Sequence, residues 1–272
     1  MIASSEERYL EELVALAHVG LRTHSIPDHL DVDYTTPDRC VVLIRGKVNH
    51  AVIATAGLQV TSGGFVIATS REGNRIMRAL REGAEDAREL VARGSLQGWA
   101  TDAKIEFGMK DQADDWYALD PTVSFNCPGL GLTIFKAYTD RPSAPYAFHW
   151  QEPKKGDRVR VNEIVTDYTD FTVREEATRM ARGGVEVTMG GGAVKARKTR
   201  LRRNDTFKGG VVIGGEGVVG MVDYFDSFKK KRVIVIPASN MQQCLYEAAV
   251  VMSENAPFEK RTVPTPSSSS EQ

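Results

Sequence analysis

The sequence predicts an α+β fold of mixed type, in which antiparallel-rich sheets combine with a few helices. Short β-type runs follow one another between glycine-rich turns and do not alternate regularly with helices, which argues against a doubly wound parallel sheet. One long amphipathic helix is predicted over about 71–93, and another helix near the C-terminus. The 272 residues are 42% hydrophobic and 26% charged, so the chain can bury a large core and wholesale disorder is excluded.

The N-terminal segment predicts a helix that ends at Gly20. Ser4 and Glu7 have the spacing of a capping box, and apolar residues then recur at helical spacing. The β-type runs that come next indicate a meander whose turns are Gly46-Lys47 and Ser62-Gly63-Gly64. The predicted strands are Cys40–Arg45, Val48–Thr55, Leu58–Thr61 and Phe65–Thr69.

The long helix over about 71–93 has one apolar face and one charged face. Gly94 follows it at the position of a left-handed C-cap. The opposite face carries Arg and Glu residues at spacings that form i,i+4 pairs, so we interpret it as a solvated surface. The apolar face consists of Ile76, Met77, Leu80, Ala84, Ala87, Leu90 and Val91.

The second half predicts further strands, a short helix and a C-terminal helix. Thr172 and Glu175 form another capping-box pattern, which predicts a helix ending at Gly183-Gly184, and a final helix is expected near Asn240–Ser253. The predicted strands are Ala103–Phe107, Thr122–Phe125, Leu130–Tyr138, Tyr146–Trp150, Arg158–Val165, Val185–Met189, Ala193–Arg202, Val211–Ile213 and Val233–Ile236.

The chain is expected to form a single globular domain over 1–256, with a weak internal boundary near 140–145. Residues 257–272 are rich in Pro, Ser and Thr, which predicts a disordered tail. No window approaches 18 apolar residues, and the first residues resemble no secretory signal. Three cysteines argue against a disulfide framework. We therefore expect a cytoplasmic protein in a reducing compartment, without a membrane association.

The net charge of −1 conceals an uneven distribution. Residues 1–40 hold eight acidic and three basic residues, whereas residues 195–232 hold eleven basic and four acidic residues. Six of the nine residues over 195–203 are basic, and in a strand they would lie on both faces. They are Lys195, Arg197, Lys198, Arg200, Arg202 and Arg203.

This basic hairpin strand leads to the hypothesis of a polyanion-binding protein, with nucleic acid as the expected ligand. Basic side chains on a projecting strand suit a phosphate backbone, because each neutralised phosphate releases counterions. A solvated hairpin explains the same residues. A further alternative is a self-assembling structural protein, a homo-oligomer in which the acidic segment of one copy meets the basic segment of another. No cofactor is predicted.

The other alternative is an enzyme that acts on a small, possibly phosphorylated substrate. Gly215–Gly220 matches G-x-G-x-x-G after an apolar strand, but no acidic residue follows at the ribose-binding spacing, and a plain β-turn explains the glycines equally. Cys127 and His149 could form a nucleophile and base, although nothing in the local sequence activates the thiol. The sequence leaves open whether the protein is catalytic.

Two further groups have weaker functional interpretations. Lys154 and Lys155 could lower one another's pKa if they were buried, but their proline- and glycine-containing turn favours exposure. A polar segment combines imidazole and carboxylate groups, yet its spacing fits no usual metal site, so no metal is predicted. That segment contains His24, Asp28, His29, Asp31 and Asp33.

Overall fold

The fold combines two antiparallel sheets with helices, as the sequence predicts. It is seen in a computed structural model that describes part of the chain. The described residues are 5–21, 32, 34–48, 51–78, 104–107, 116–139, 141–152, 158–162, 171–174, 179–181, 184–188, 209–215, 217–226 and 232–255.

The first sheet closes into a six-stranded barrel. Its strand order is β1-β2-β3-β6-β5-β4, and β4 pairs with β1 to complete the ring. Every neighbouring pair is antiparallel. The strands are β1 (Val41–Val48), β2 (Ala51–Gln59), β3 (Phe65–Thr69), β4 (Lys104–Phe107), β5 (Trp116–Cys127) and β6 (Leu132–Ala137).

The second sheet contains seven strands in the order β8-β7-β11-β12-β13-β10-β9. Its neighbouring strands are also antiparallel. The strands are β7 (Arg158–Asn162), β8 (Phe171–Arg174), β9 (Arg179–Ala181), β10 (Gly184–Thr188), β11 (Val211–Gly214), β12 (Gly217–Asp226) and β13 (Arg232–Pro237).

The helices occupy both ends of the chain and the end of β3. Helix α1 (Ser5–Gly20) packs against α3 (Ala238–Glu254), and α2 begins directly after β3 and is described over 70–78. A 3-10 helix, Pro37–Cys40, precedes β1. The packing of α1 on α3 is close, because a Cβ atom on Gly20 would lie 2.5 Å from the Tyr246 backbone nitrogen. None of the described helices combines the length and hydrophobicity that crossing a membrane requires.

The main hydrophobic core joins both sheets to α1 and α3. Strands β3 and β6 are buried along their whole lengths, and apolar residues predominate in both, although β6 also contains Thr133 and Lys136. Phe65 and Ile134 of the barrel share one buried cluster with Met221 of the second sheet and with Leu16 and Leu245 of the helices. Burial of this apolar surface is the main stabilising contribution to such a fold.

Several elements differ from the sequence prediction. The first hairpin does not turn at Gly46-Lys47, since Gly46 pairs with Ile53 and the ladder continues to Val48 and Ala51. Leu58 belongs to the same strand as Ala51, so β2 combines parts of the predicted strands Val48–Thr55 and Leu58–Thr61. A two-residue connection lets both strands pair along their whole length, and this outweighs the local turn preference of glycine.

The helix predicted from Thr172 to Gly183 is wrong. Its N-terminal part forms β8, in which Thr172 pairs with Arg160 of β7, and its C-terminal part includes β9. The β-branched Thr172 and Val173 suit a pleated strand, and the tertiary pairing overrides the capping-box pattern.

Tyr146–Trp150 is not a regular strand and makes only isolated bridges. The long helix begins at Ser70, and its predicted part beyond residue 78 lies outside the described residues, as does the predicted tail. The single domain therefore stays a prediction.

A buried ion pair fastens α1 to the barrel. Lys136 of β6 is 8% exposed, and its Nζ atom lies 3.3 Å from Oε1 of Glu12 on α1. The same ammonium group donates hydrogen bonds to the carbonyl oxygens of Gly63 and Ala137. Burial raises the pKa of the Glu12 carboxyl, and the nearby Lys136 and Arg8 offset part of the rise. Burial raises the pKa of Tyr9 on the same helix, and the charges of Asp120 and Glu12 raise it further.

We expect Lys136→Met to lower the free energy of unfolding by about 3 kcal/mol at neutral pH, because the Glu12 carboxylate is left buried without its partner. A carboxyl whose pKa rises on folding loses stability as pH increases from its ordinary value of 4.5 through the folded value. The loss in the variant should therefore be much smaller near pH 4, which denaturant unfolding at both pH values measures. Adding Glu12→Gln should remove this pH dependence. An equal loss at both pH values would contradict the ion-pair interpretation.

Candidate functional site

The barrel and the second sheet meet where β11 begins. Gly209 has a φ of +76°, and a Cβ atom there would lie 2.2 Å from Oγ1 of Thr55 and 2.8 Å from the Ala56 carbonyl oxygen. Only glycine combines this left-handed backbone with such a close approach. Gly209 therefore places the first residues of β11 directly against β2 of the barrel.

The first turn of α2 and the start of β6 form the barrel side of this junction. The Ser70 backbone N–H donates a 2.8 Å hydrogen bond to the carbonyl oxygen of Gly131. Gly131 has a φ of +75°, and a Cβ atom there would lie 3.0 Å from Cδ1 of Ile236 in β13. These contacts place the N-terminal end of α2 beside the second sheet. Arg71, the next residue of α2, is exposed.

Strand β12 changes its pairing at the junction. The Val222 N–H donates to the Gly210 carbonyl at 2.8 Å, and the Val222 carbonyl accepts from the Gly209 N–H at 2.9 Å. Beyond this point, among the residues that the structure describes, residues 223–226 pair only with β13. Within the described part of the chain, residues 223–226 of β12 therefore have no strand partner on the side that faced β11, and we call these residues the β12 edge.

The register shows which backbone groups face the β12 edge. A shift between Val222 and Tyr224 makes Asp223 an extra residue, as in a β-bulge. The backbone N–H and C=O of Val222 both form hydrogen bonds on the β11 side, so Val222 and Val235 are a non-hydrogen-bonded pair between β12 and β13. Hydrogen-bonded and non-hydrogen-bonded pairs alternate along an antiparallel ladder, so the next pair, Tyr224 with Ile234, is hydrogen-bonded. The pair after it, Phe225 with Val233, is not, and the N–H and C=O of Phe225 therefore point to the side away from β13.

The charges of Asp223 and Arg71 lie within electrostatic range of each other at the junction. The Asp223 side chain is half-buried, and Arg71 is the described charged group that acts on it. Burial raises the pKa of the Asp223 carboxyl, and the Arg71 guanidinium lowers it by a smaller amount, so the pKa stays above its ordinary value. The junction therefore contains a partly desolvated carboxyl group that its cationic neighbour does not fully compensate.

Cys127 lies in a different environment from the one that a nucleophile requires. Its Sγ atom donates a 3.5 Å hydrogen bond to Oε2 of Glu247, and Cys244 lies next to it, both on α3. Burial and the Glu247 carboxylate raise the pKa of the Cys127 thiol, although the Leu130 backbone N–H lowers it. A raised pKa keeps the thiol protonated and unreactive.

His149 lies on the segment between the two sheets and its side chain is exposed. Its carbonyl oxygen accepts a 2.8 Å hydrogen bond from the Val218 N–H. The groups that interact with the Cys127 thiol are on α3 and at Leu130, so the structure does not bring these two predicted residues together as a pair.

The G-x-G-x-x-G sequence forms a tight connection between two strands. Gly214 pairs with Gly217, and Gly215 has a φ of +48°. The following residues continue as β12 and not as a helix, so the helix N-terminus that a pyrophosphate site needs is missing at this position. The plain β-turn is therefore the correct interpretation of these glycines.

The remaining predicted sites lie outside the described residues. This holds for the basic strand with Lys195, Arg197, Lys198, Arg200, Arg202 and Arg203, for Lys154 and Lys155, and for His24, Asp28, His29, Asp31 and Asp33. Within the described ranges, no cluster of three or more His, Cys, Asp or Glu side chains could hold a metal ion. The predicted homo-oligomer stays a prediction.

The junction offers binding groups, but among the described residues no general base for a nucleophile. A Ser–His or Cys–His pair needs an imidazole within hydrogen-bond reach of the nucleophile. Of the five histidines in the sequence, the described ones are His18 on α1 and the exposed His149. The basic group facing β12 is Arg71, and a guanidinium has no acceptor for a proton.

No protein-family model and no curated protein matches this sequence. Solved structures are similar to it. The serine endoprotease from Yersinia pestis is 11% identical with a TM-score of 0.50, over 92% of this chain and 68% of the endoprotease chain. The active form of the Rv3671c protease from M. tuberculosis is 13% identical (TM-score 0.49, 81% and 91% covered). The MamO protease domain from Magnetospirillum magneticum is 14% identical (TM-score 0.49, 76% and 95% covered).

The fold corrects the main functional prediction from the sequence. The nucleic-acid-binding hypothesis is wrong, because the chain has a fold found in a solved serine endoprotease. The basic run at 195–203 suggested the hypothesis through charge alone, and a charge pattern does not determine a fold.

The sequence prediction also missed Arg71 and Asp223. Asp223 could have been noticed as a single carboxylate within the apolar run Val218–Phe225.

Replacing Gly209 tests the close approach at the junction. We expect Gly209→Ala to lower the free energy of unfolding by about 2 kcal/mol or more, because the added methyl group meets β2 and the left-handed backbone becomes strained. Gly129→Ala is the matched control, since a Cβ atom there meets nothing within 4 Å, and it should change stability by less than about 0.5 kcal/mol. Equal losses in denaturant unfolding would contradict this role of Gly209.

Glu247→Gln tests why Cys127 is unreactive. Removing the carboxylate should lower the pKa of the thiol and speed its alkylation by iodoacetamide about two- to tenfold at pH 8. Peptide mapping by mass spectrometry separates Cys127 from the buried Cys40 and Cys244. Glu254→Gln, an exposed substitution on the same helix, should leave the rate unchanged. The explanation fails if both variants react at the rate of the natural protein.

Proposed function

We propose that this chain binds extended polypeptide segments by strand addition at the β12 edge. The observation that carries the proposal is that, among the residues that the structure describes, 223–226 of β12 pair with β13 alone once the pairing with β11 has ended. Its position at the junction of two sheets suits a groove for an elongated ligand. The fold shared with the serine endoprotease of Yersinia pestis supports a polypeptide as the class of ligand.

Strand addition uses backbone groups that the fold leaves available. The N–H and C=O of Phe225 point to the open side, where an antiparallel peptide strand can exchange two hydrogen bonds with them. Such bonds give affinity with little dependence on sequence, and side chains on either side of the strand add selectivity. The bulge at Asp223 increases the local twist of β12 and bends the strand at this point.

The chemistry of the junction favours binding without cleavage. Hydrolysis by a Ser–His mechanism requires a base that removes the nucleophile's proton, whereas the described junction presents the guanidinium of Arg71 and the carboxyl of Asp223. Two charged groups of opposite sign can orient a ligand without attacking it. Peptide hydrolysis is the second candidate function, and the shared fold is the observation that favours it.

The test is the binding of a fluorescently labelled, permanently unfolded polypeptide, such as reduced and carboxymethylated α-lactalbumin, measured by fluorescence anisotropy. Phe225→Pro removes the N–H that faces the open side, so it should weaken binding at least about tenfold, or 1.4 kcal/mol. Phe225→Val keeps that N–H and should retain most of the affinity.

Melting temperatures of both variants show whether a loss of binding reflects unfolding. Equal affinities for the proline and valine variants, with both folded, would overturn strand addition at this edge. Gel electrophoresis of the same mixtures follows hydrolysis. An intact polypeptide after prolonged incubation is expected, and fragments that appear in proportion to the amount of protein would establish the second candidate function instead.

A further inference from the structure

We propose that Cys127 and Cys244 form a redox-sensitive modification site, at which a low-molecular-weight disulfide such as oxidised glutathione converts the two thiols into a disulfide bond. This bond links the barrel to helix α3. Both cysteines are free thiols, and they lie 117 positions apart in the sequence. The inference goes beyond the proposed polypeptide binding and does not depend on it, because neither cysteine belongs to the β12 edge.

The hairpin between β5 and β6 fixes the position of Cys127. This residue is the last of β5 and pairs with Leu132 at the start of β6. Its carbonyl oxygen accepts a 3.1 Å hydrogen bond from the Leu130 N–H, and the Pro128 carbonyl oxygen accepts one of 3.2 Å from the Gly131 N–H. Because these bonds close the turn, the backbone of Cys127 keeps a fixed place beside α3.

Helix α3 presents Glu247 and Cys244 on the side that Cys127 contacts. The Cys127 Sγ atom lies 3.5 Å from Oε2 of Glu247. Cys244 comes three residues earlier in α3, and residues three apart are neighbours on the surface of a helix. Cys244 is part of the main core, and Cys127 packs against the same cluster. A hydrogen bond joins the two thiol groups, so the sulfur atoms are direct neighbours.

Cys127 is the thiol that an oxidant reaches first, since it is partly exposed whereas Cys244 is 0% exposed. The Cys127 thiolate attacks one sulfur atom of oxidised glutathione, which forms a mixed disulfide and releases one glutathione thiolate. Cys244 then loses its proton and attacks the Cys127 sulfur atom, and the second glutathione thiolate leaves. The two released thiolates take up the two cysteine protons. Two cysteine thiols are thus oxidised, and one glutathione disulfide is reduced to two glutathione molecules.

The Glu247 carboxylate controls the rate of the first exchange. Burial and this carboxylate raise the pKa of the Cys127 thiol, so only a small fraction is present as the reactive thiolate at neutral pH. Burial also raises the pKa of the Cys244 thiol. The pair consequently stays reduced during brief exposure to an oxidant and forms the disulfide under sustained exposure.

The test is prolonged incubation of the natural protein with oxidised glutathione, followed by alkylation and mass spectrometry of tryptic peptides without reduction. Cleavage after lysine and arginine places Cys40, Cys127 and Cys244 on three separate peptides. We expect the Cys127 and Cys244 peptides to be joined and Cys40 to be alkylated. Glutathione attached to Cys127 without this link, or a disulfide that includes Cys40, would overturn the inference.

Melting temperatures measure what the bond does to the protein. Oxidation should raise the melting temperature by about 5 °C or more, because a cross-link across so long a loop restricts the unfolded chain. Dithiothreitol should reverse the rise. Cys127→Ser should abolish it, whereas Cys40→Ala is the matched control and should retain it. An equal rise in the Cys127→Ser variant would contradict the proposed link.

Glu247→Gln tests the control of the exchange. The disulfide should form about two- to tenfold faster in this variant, because the thiol loses its anionic neighbour. Glu254→Gln, on the same helix, should react at the rate of the natural protein. Equal rates in both variants would overturn the role of Glu247. The peptide map of the natural protein decides whether the disulfide forms even if a variant fails to fold.

Discussion

The close approach of Gly209 to strand β2 is the contact on which the geometry of the candidate site depends. It places the start of β11 against the barrel, and in the described part of the chain the backbone bonds from Gly209 and Gly210 to Val222 are the last ones on this side of β12. Because β13 continues to pair along β12, the strand keeps its conformation over residues 223–226 while one edge stays open in the described structure. A side chain at residue 209 would separate the two sheets at this point.

The same junction explains the charged pair. Helix α2 begins immediately after the buried strand β3, and the bond from Ser70 to Gly131 fixes its first turn beside the second sheet. The charge of Arg71 consequently acts on the carboxyl group of Asp223, the bulge residue of β12. Proteins with the same fold can have sites with different chemistry. The shared architecture therefore does not determine what the groups at the junction do. Backbone hydrogen bonding and one carboxylate are sufficient for binding, whereas hydrolysis requires a base as well.

Sequence patterns predicted the elements whose environment is uniform. Phe65–Thr69 and strand β6, which lies within the predicted strand Leu130–Tyr138, are buried throughout, and the helix near Asn240–Ser253 corresponds to α3. The patterns failed where pairing with a distant strand decides the outcome. Thr172 joins β8 because Arg160 lies opposite to it, and Gly46 stays within β1 because Ile53 pairs with it. Local preferences of about 1 kcal/mol or less are smaller than the gain from a completed sheet.

The site was less predictable than the fold. Arg71 and Asp223 are 152 positions apart in the sequence, and only the fold brings their charges within electrostatic range of each other. The basic residues 195–203 stood out because they are adjacent in the sequence, although they lie outside the described residues and their charge indicated the wrong class of ligand. Cys127 and His149 suggested a catalytic pair by residue type alone, but the contacts of the thiol are with α3.

Amide hydrogen exchange of β12, with and without the unfolded polypeptide, tests strand addition most directly. In the free protein the N–H of Phe225 faces the open side and should exchange quickly, whereas those of Tyr224 and Asp226 are directed to β13 and should exchange slowly. Binding at the β12 edge should slow the exchange of Phe225 and leave its two neighbours nearly unchanged. Binding that leaves the exchange of Phe225 unaltered would contradict strand addition and place the ligand elsewhere on the protein.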